Sequence, residues 1–206
     1  MTKRLFGPCL LVLLLIFIGS CSTVTTLSFT ERDVKDSPNL VKNNSFSPYS
    51  TIGEEALKGW MVILNPKETG ESPVVIDPEV ALKGKTSLRI DASDNSVLIL
   101  SEPFNVRRYG GYYLRCYFKT NSPHPPRPQL RFIVFKENGK IVNRFKIKAK
   151  VNEDWERATI SAGFIKPGAR FGRLGIYIPP FKEGSIWIDD TGCFEVHGFK
   201  IDGCVS

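Results

Sequence analysis

The sequence has few of the residues on which hydrolytic and redox chemistry most often depends. It contains only two histidines, His124 and His197, and five cysteines, none of them in a Cys-x-x-Cys pair. It also lacks the Gly-x-Ser-x-Gly and His-Glu-x-x-His motifs of serine hydrolases and zinc proteases. One histidine lies in a proline-rich stretch and the other near the C-terminus, so neither is placed as a triad base. The sequence therefore predicts no enzymatic activity and no zinc site.

The sequence also lacks an apolar run of roughly 20 residues, the length that a spanning helix needs. Residues 10–18 are wholly apolar, follow Lys3 and Arg4, and lead into Ile-Gly-Ser-Cys at 18–21. This is the layout of a secretory signal peptide, and the closing tetrapeptide resembles a bacterial lipobox. We expect residues 1–20 to be removed and Cys21 to carry the lipid of an exported, membrane-anchored protein, in the outer membrane if the envelope has two. The alternative is an ordinary signal peptide in which Cys21 is incidental.

The charge is mildly basic and is not concentrated in one block. The formal net charge is +7, of which Lys3 and Arg4 contribute two. A nucleic-acid partner is not expected, because the chain has no recognisable binding motif and is predicted to be exported. Attraction to anionic glycans or lipid headgroups is compatible with this charge.

Three cysteines follow the predicted lipid site, namely Cys116, Cys193 and Cys204. Export would place them where disulfides can form. Cys193 and Cys204 are close in sequence, so a disulfide between them would fix the C-terminal tail to the last strand. The alternative is that all three are reduced and that Cys116 is a small core residue.

The chain after the predicted lipid site divides into a tether, 21–37, and one domain, 38–206. The tether is polar and then charged, which is typical of a flexible linker. The domain shows apolar and polar residues in alternation, with period two, at 87–92, 112–119, 129–136, 145–150, 157–162 and 173–178. Turn residues occupy 83–85, 109–111, 137–140 and 182–184, and we expect residues 65–78 to be mostly loop. This pattern predicts an all-β fold, an antiparallel β-sandwich.

Several segments together resemble a known family. They are NLVKNNSF at 39–46, Gly59-Trp60, KGKTSLRI at 83–90, YYLRCYFKT at 112–120, Asp154-Trp155 and GSIWIDD at 184–190. Their order is similar to that of carbohydrate-binding modules of the jelly-roll, galactose-binding-domain-like class. The resemblance covers about residues 39–196 and implies a jelly-roll sandwich in which Trp60 and Trp155 are structural.

The resemblance also implies a structural calcium ion, the one cofactor we consider. Asp189 or Asp190 would supply its carboxylate, since calcium prefers several oxygen ligands. The chain departs from the family at Ser47, where a glutamate is frequent, and this weakens the assignment. The alternative is that the two aspartates only end a strand.

A candidate ligand surface follows from the polar positions of the alternating strands. If these strands share one sheet, its concave face combines aromatic rings, which stack on sugars, with arginine forks, which bind hydroxyls and carboxylates. An acidic sugar would fit the charge. The alternative is an ordinary solvated face with cross-strand aromatic pairs. The residues predicted to bind ligand are Tyr113, Arg115, Tyr117, Arg131, Phe135 and Tyr177.

Three functional hypotheses follow. The first is a non-catalytic lipoprotein that binds envelope or environmental polysaccharide through the concave face. The second is a structural or protein-interaction lipoprotein that uses the same sandwich without binding sugar. The third and weakest is a glycoside hydrolase, which would need a cleft with paired carboxylates.

Overall fold

The computed structural model describes residues 27–47, 57–65 and 72–199. The predicted signal peptide, Cys21 and Cys204 lie outside these residues. Within them, two antiparallel sheets pack face to face, so the predicted all-β sandwich is confirmed. No helix in the described part of the chain is long and apolar enough to cross a lipid bilayer.

The larger sheet has six strands, all antiparallel to their neighbours. Their order is β1 (Trp60–Asn65), β4 (Ser96–Ser101), β10 (Phe171–Ile178), β7 (Gln129–Phe135) and β8 (Ile141–Lys148), with the short β5 (Phe104–Asn105) beside β10.

The smaller sheet has five strands. Their order is β2 (Val74–Asp77), β3 (Ser87–Ser93), β11 (Phe181–Glu195), β6 (Tyr112–Thr120) and β9 (Glu156–Ala162). The apolar positions of both sheets meet in a single core between the layers. On β7, for example, Leu130, Phe132 and Val134 are fully buried, as the period-two pattern predicts.

Two local predictions differ from the structure. Residues 182–184, predicted as a turn between strands, lie inside β11, where the pairing register shifts between Phe181 and Ser185. Gly184 has φ +78° there, a left-handed conformation that glycine tolerates in a bulge. In the stretch 65–78, predicted to be mostly loop, β2 pairs with β3 along Val74–Asp77.

The N-terminal segment, residues 27–37, packs on the smaller sheet, so the domain begins earlier than the predicted boundary at 38. A short 3₁₀ helix spans Glu31–Val34, and Val34 is buried against Tyr113, Phe194 and Val196. The Phe29 N–H donates to Ser161 Oγ at 2.7 Å. The apolar side chains of Phe29 and Val34, which lie within a polar stretch, thus attach residues 27–37 to the smaller sheet.

Of the two tryptophans that the resemblance implies to be structural, Trp60 is buried in the core. Trp60 is 9% exposed, packs on Phe46 with ring centres 5.0 Å apart, and donates its indole N–H to the Asn43 carbonyl. Trp187 is also buried, whereas Trp155 is only half-buried.

Candidate functional site

The six predicted ligand residues do not share one sheet. Tyr113, Arg115 and Tyr117 belong to β6 in the smaller sheet. The others belong to β7 and β10, which pair directly with each other in the larger sheet. The prediction of a single surface was therefore wrong. Alternation identifies which side chains point away from the core, but strand pairing decides which of them become neighbours.

Two of the three β6 residues, Tyr113 and Arg115, contact the N-terminal segment. Tyr113 is 2% exposed beneath that segment, and this burial raises the pKa of its phenol. The Arg115 guanidinium lies between two carboxylates, 3.1 Å from Asp190 and 3.3 Å from Glu31. Both side chains are thus engaged in structural contacts.

The outer surface of the larger sheet, which we call the open face, carries the remaining candidates. Side chains of five strands align across it in two rows. The first row is Met61, Leu100, Gly175, Arg131 and Lys146, and the second is Ile63, Leu98, Tyr177, Gln129 and Lys148. Each row therefore passes from apolar residues on β1 and β4 to cationic or polar residues on β7 and β8.

The apolar part of the open face was not found from the sequence. Met61 and Ile63 are 44% and 40% exposed, and Leu98 and Leu100 are half-buried beside them. Strands β1 and β4 are apolar on both faces, so they show no period-two alternation from which the outward positions could be recognised.

At the centre of the open face, Arg131 is held against Tyr177. The guanidinium carbon of Arg131 lies 4.3 Å from the centre of the Tyr177 ring, a cation–π distance. Gln129 Oε1 accepts hydrogen bonds from Arg131 Nη2 at 2.9 Å and Nε at 3.2 Å. Gly175 lies between Arg131 and Leu100 in the first row and is buried, and a Cβ there would lie only 3.1 Å from Leu100 Cδ2. The arrangement presents a fixed guanidinium beside an aromatic ring.

Phe135 is the last residue of β7 on the open face, and its ring packs against an aromatic neighbour. Its ring stacks on that of Phe171, with centroids 5.3 Å apart and planes 17° from parallel. One face of the ring is thus covered by the protein. This is the cross-strand aromatic pair that the alternative interpretation predicted.

The two aspartates implied as calcium ligands do not fit a calcium ion. Asp189 is fully buried, and its Oδ2 accepts the backbone N–H groups of Leu82 and Lys83, each at 2.8 Å. Asp190 instead forms ion pairs with Lys83 at 3.2 Å and Arg115 at 3.1 Å. Both carboxylates are thus already engaged by N–H donors or cations, whereas calcium needs six to eight oxygen ligands, typically including several carboxylates.

Other metal or thiol chemistry finds little support in the described residues. No group of three or more histidine, cysteine or acidic side chains is suited to hold a metal among residues 27–47, 57–65 and 72–199. Cys116 and Cys193 are free thiols in the core, and burial raises their pKa well above the ordinary value. The predicted Cys193–Cys204 disulfide stays a prediction, because Cys204 lies outside the described residues.

Comparison with known proteins identifies the fold rather than a family. No protein-family model matches the sequence, and no curated protein matches it at a significant level. Among solved structures, a family 16 carbohydrate-binding module is similar with a TM-score of 0.55 and 14% identity, over 75% of this chain and 99% of that one. TmCBM61, solved in complex with β-1,4-galactotriose, is similar with a TM-score of 0.52 and 14% identity, over 77% and 99%.

Similar structures that belong to enzymes are matched only in part. The enzymatically active domain of tailspike protein 4 from bacteriophage CBA120 has a TM-score of 0.60 and 13% identity over 77% of this chain. This chain spans only about a fifth, 21%, of that protein. At such identities the likenesses establish a shared β-sandwich fold, and function has to be argued from the site.

Proposed function

We propose that this protein is a non-catalytic, membrane-anchored lipoprotein that binds carbohydrate through the open face. The observation that carries the proposal is the half-buried Arg131 guanidinium, which is fixed beside the Tyr177 ring on the outer surface of the larger sheet. The proposed site uses three of the six residues predicted from sequence, namely Arg131, Phe135 and Tyr177, and leaves out those of β6.

The chemistry of a sugar matches this arrangement. An aromatic ring stacks on the apolar C–H face of a pyranose, while hydroxyl groups lose free energy unless they find hydrogen-bond partners. Arg131 offers a planar set of donors whose orientation Gln129 already fixes. A group held in its binding orientation loses less conformational entropy when the ligand arrives.

The similar structures support the same proposal. Two of them are carbohydrate-binding modules matched over 99% of their own length. A sandwich of this type without a catalytic constellation in the described residues is consistent with a binding role.

Export and lipid anchoring are part of the proposal and rest on the N-terminal sequence. Removal of residues 1–20 would leave Cys21 as the lipidated first residue, joined by a short polar stretch to a domain that begins by residue 27. The test is metabolic labelling with radioactive palmitate in a bacterial host. We expect label in the native protein and none in a Cys21→Ser variant; equal labelling of both would overturn the anchoring.

Binding is tested with the purified protein on a glycan array, beside two matched variants. Tyr177→Ala removes the ring on the open face, whereas Tyr117→Ala makes the same change on the smaller sheet. We expect the first variant to lose glycan binding and the second to keep it. Binding lost only in Tyr117→Ala would place the site on β6 and contradict the proposal.

A protein-interaction role is the second candidate, and one observation favours it. β1 is the terminal strand of the larger sheet and exposes Met61 and Ile63. Exposed apolar side chains on a sheet edge are typical of contacts with another protein. A folded protein that binds no glycan, with an envelope cross-link at β1 that is lost in Met61→Ser/Ile63→Ser, would favour this role.

A further inference from the structure

The arginines on the outer surfaces of the two sheets differ in whether they have carboxylate partners. On the smaller sheet, Arg115 and Arg157 both contact Glu31, and Arg89 lies 3.3 Å from Asp77. Each of these guanidinium groups therefore has a carboxylate partner. These three arginines of the smaller sheet are thus neutralised by carboxylates.

The open face keeps its cations without carboxylate partners. Its outward positions hold five basic side chains, and no aspartate or glutamate occupies an outward position of these strands. Within the described part of the chain, none of the five forms a salt bridge. They are Arg131, Arg144, Lys146, Lys148 and Arg173.

Three of these cations surround one depression of about 370 Å³. Arg131, Arg144 and Lys146 line it, over an apolar floor that includes Ile133. Arg131 lies directly opposite Lys146, and Ile133 directly opposite Arg144. Like charges on neighbouring strands destabilise a sheet. Burial lowers the pKa of Arg131, and the nearby Arg144 lowers it further. An anion bound in the depression would relieve this repulsion.

We propose that the open face selects acidic polysaccharide, in which uronate carboxylates bind the Arg131, Arg144 and Lys146 cluster. The inference rests on the proposed carbohydrate-binding function and adds the substrate class. A guanidinium forms two parallel hydrogen bonds with a carboxylate, and charge assistance makes them stronger than bonds to hydroxyls.

The layout of the rows suits a chain of sugar residues. The first row passes from Leu100 through Gly175 and Arg131 to Lys146, three strand spacings, or about 14 Å. Tyr177 lies beside this row with one ring face covered by Arg131, so that a sugar would stack on the opposite face of the ring. The cationic cluster lies at the β7 and β8 end of the row. Apolar sugar faces and carboxylates would thus meet different parts of the same surface.

The test compares polygalacturonate with its fully methyl-esterified form, which has the same backbone without charge. Binding to the purified protein is measured by isothermal titration at low salt. Arg144→Gln/Lys146→Gln removes two charges from the cluster. Lys85→Gln/Arg108→Gln is the matched control, since both residues are exposed and lie outside the two sheets.

We expect the native protein and the control to bind polygalacturonate at least about tenfold more tightly than the ester, the equivalent of one charge-assisted hydrogen bond. The cluster variant should lose this preference, and added salt should weaken the native binding. Equal affinity for both polymers, unchanged in the cluster variant, would overturn the acidic preference but keep carbohydrate binding. If polygalacturonate binding is weakened equally in both double variants, the attraction is only non-specific, and this result would also overturn the acidic preference. If the folded protein binds no glycan, charged or neutral, the result would instead contradict the proposed function itself.

Discussion

The guanidinium carbon of Arg131 lies 4.3 Å from the centre of the Tyr177 ring, and Gln129 Oε1 accepts two hydrogen bonds from the same guanidinium group. Arg131 lies on β7 and Tyr177 on β10, so the contact joins two neighbouring strands of the larger sheet. The pair contributes to the fold as well as to the proposed site.

A double-mutant cycle of Tyr177→Leu and Arg131→Met tests this contact. We expect a coupling of about 0.5–1 kcal/mol in the free energy of unfolding, the range for a partly exposed cation–π pair. The measurement is urea denaturation of the native protein, both single variants and the double variant. Strictly additive losses would show that the two side chains do not stabilise each other.

Asp190 gives a second prediction, because two cations hold its carboxylate where calcium was expected from sequence. Arg115→Met should destabilise the protein by about 3 kcal/mol, since it leaves a buried charge poorly paired. Lys83→Met should cost less, because the Lys83 side chain is 62% exposed and that of Arg115 only 16%.

The same reasoning predicts that millimolar calcium or a chelator leaves the thermal midpoint of the native protein unchanged. The measurement is differential scanning calorimetry. A rise in the midpoint with calcium, abolished in Asp190→Asn, would restore the structural calcium site.

Trp187 and Asp77 predict a dependence of stability on pH. Burial raises the pKa of Asp77, but hydrogen bonds from the Trp187 indole and from the Glu79 and Val80 amides outweigh it and hold the pKa below its ordinary value of 3.8. A carboxylate with a lowered folded pKa stabilises the fold above its unfolded pKa, and that stability is lost as the pH falls.

Trp187→Phe removes the indole hydrogen bond to the charged Asp77. We expect the free energy of unfolding to fall by about 2 kcal/mol at neutral pH. This difference from the native protein should shrink as the pH falls below 3.8 toward the pKa of Asp77 in the folded state. Urea denaturation at a series of pH values measures it. A loss that stays constant down to low pH would mean that ring packing, not the hydrogen bond to the carboxylate, accounts for the effect.

Val34 tests whether the N-terminal segment is part of the domain. Val34→Ala removes two buried methyl groups from the contact with Tyr113, and we expect it to cost about 1.5 kcal/mol. Lys35→Ala, an exposed neighbour, is the control and should have little effect. Unchanged stability in Val34→Ala would mean that the segment behaves as the flexible tether predicted from sequence.

The class of fold could be predicted from sequence because burial on one face imposes period two. Strands such as β6 and β7 alternate between fully buried and outward residues, and a turn at 137–140 separates β7 from β8. Strands β1 and β4 were missed because both of their faces are apolar, so their residues do not alternate.

The sequence by itself determined that this chain is an all-β sandwich, and which side chains of each alternating strand point away from the core. It also determined the basic charge and the N-terminal pattern on which the lipid-anchor proposal rests. Only the tertiary structure decided that β6 lies in one sheet while β7 and β10 lie in the other. Tyr113 and Arg115 thereby became contacts of the N-terminal segment, and Arg131 and Tyr177 became neighbours. The physical reason is that hydrogen bonds between strands distant in sequence set the sheet order, whereas side-chain alternation records only the burial of each strand.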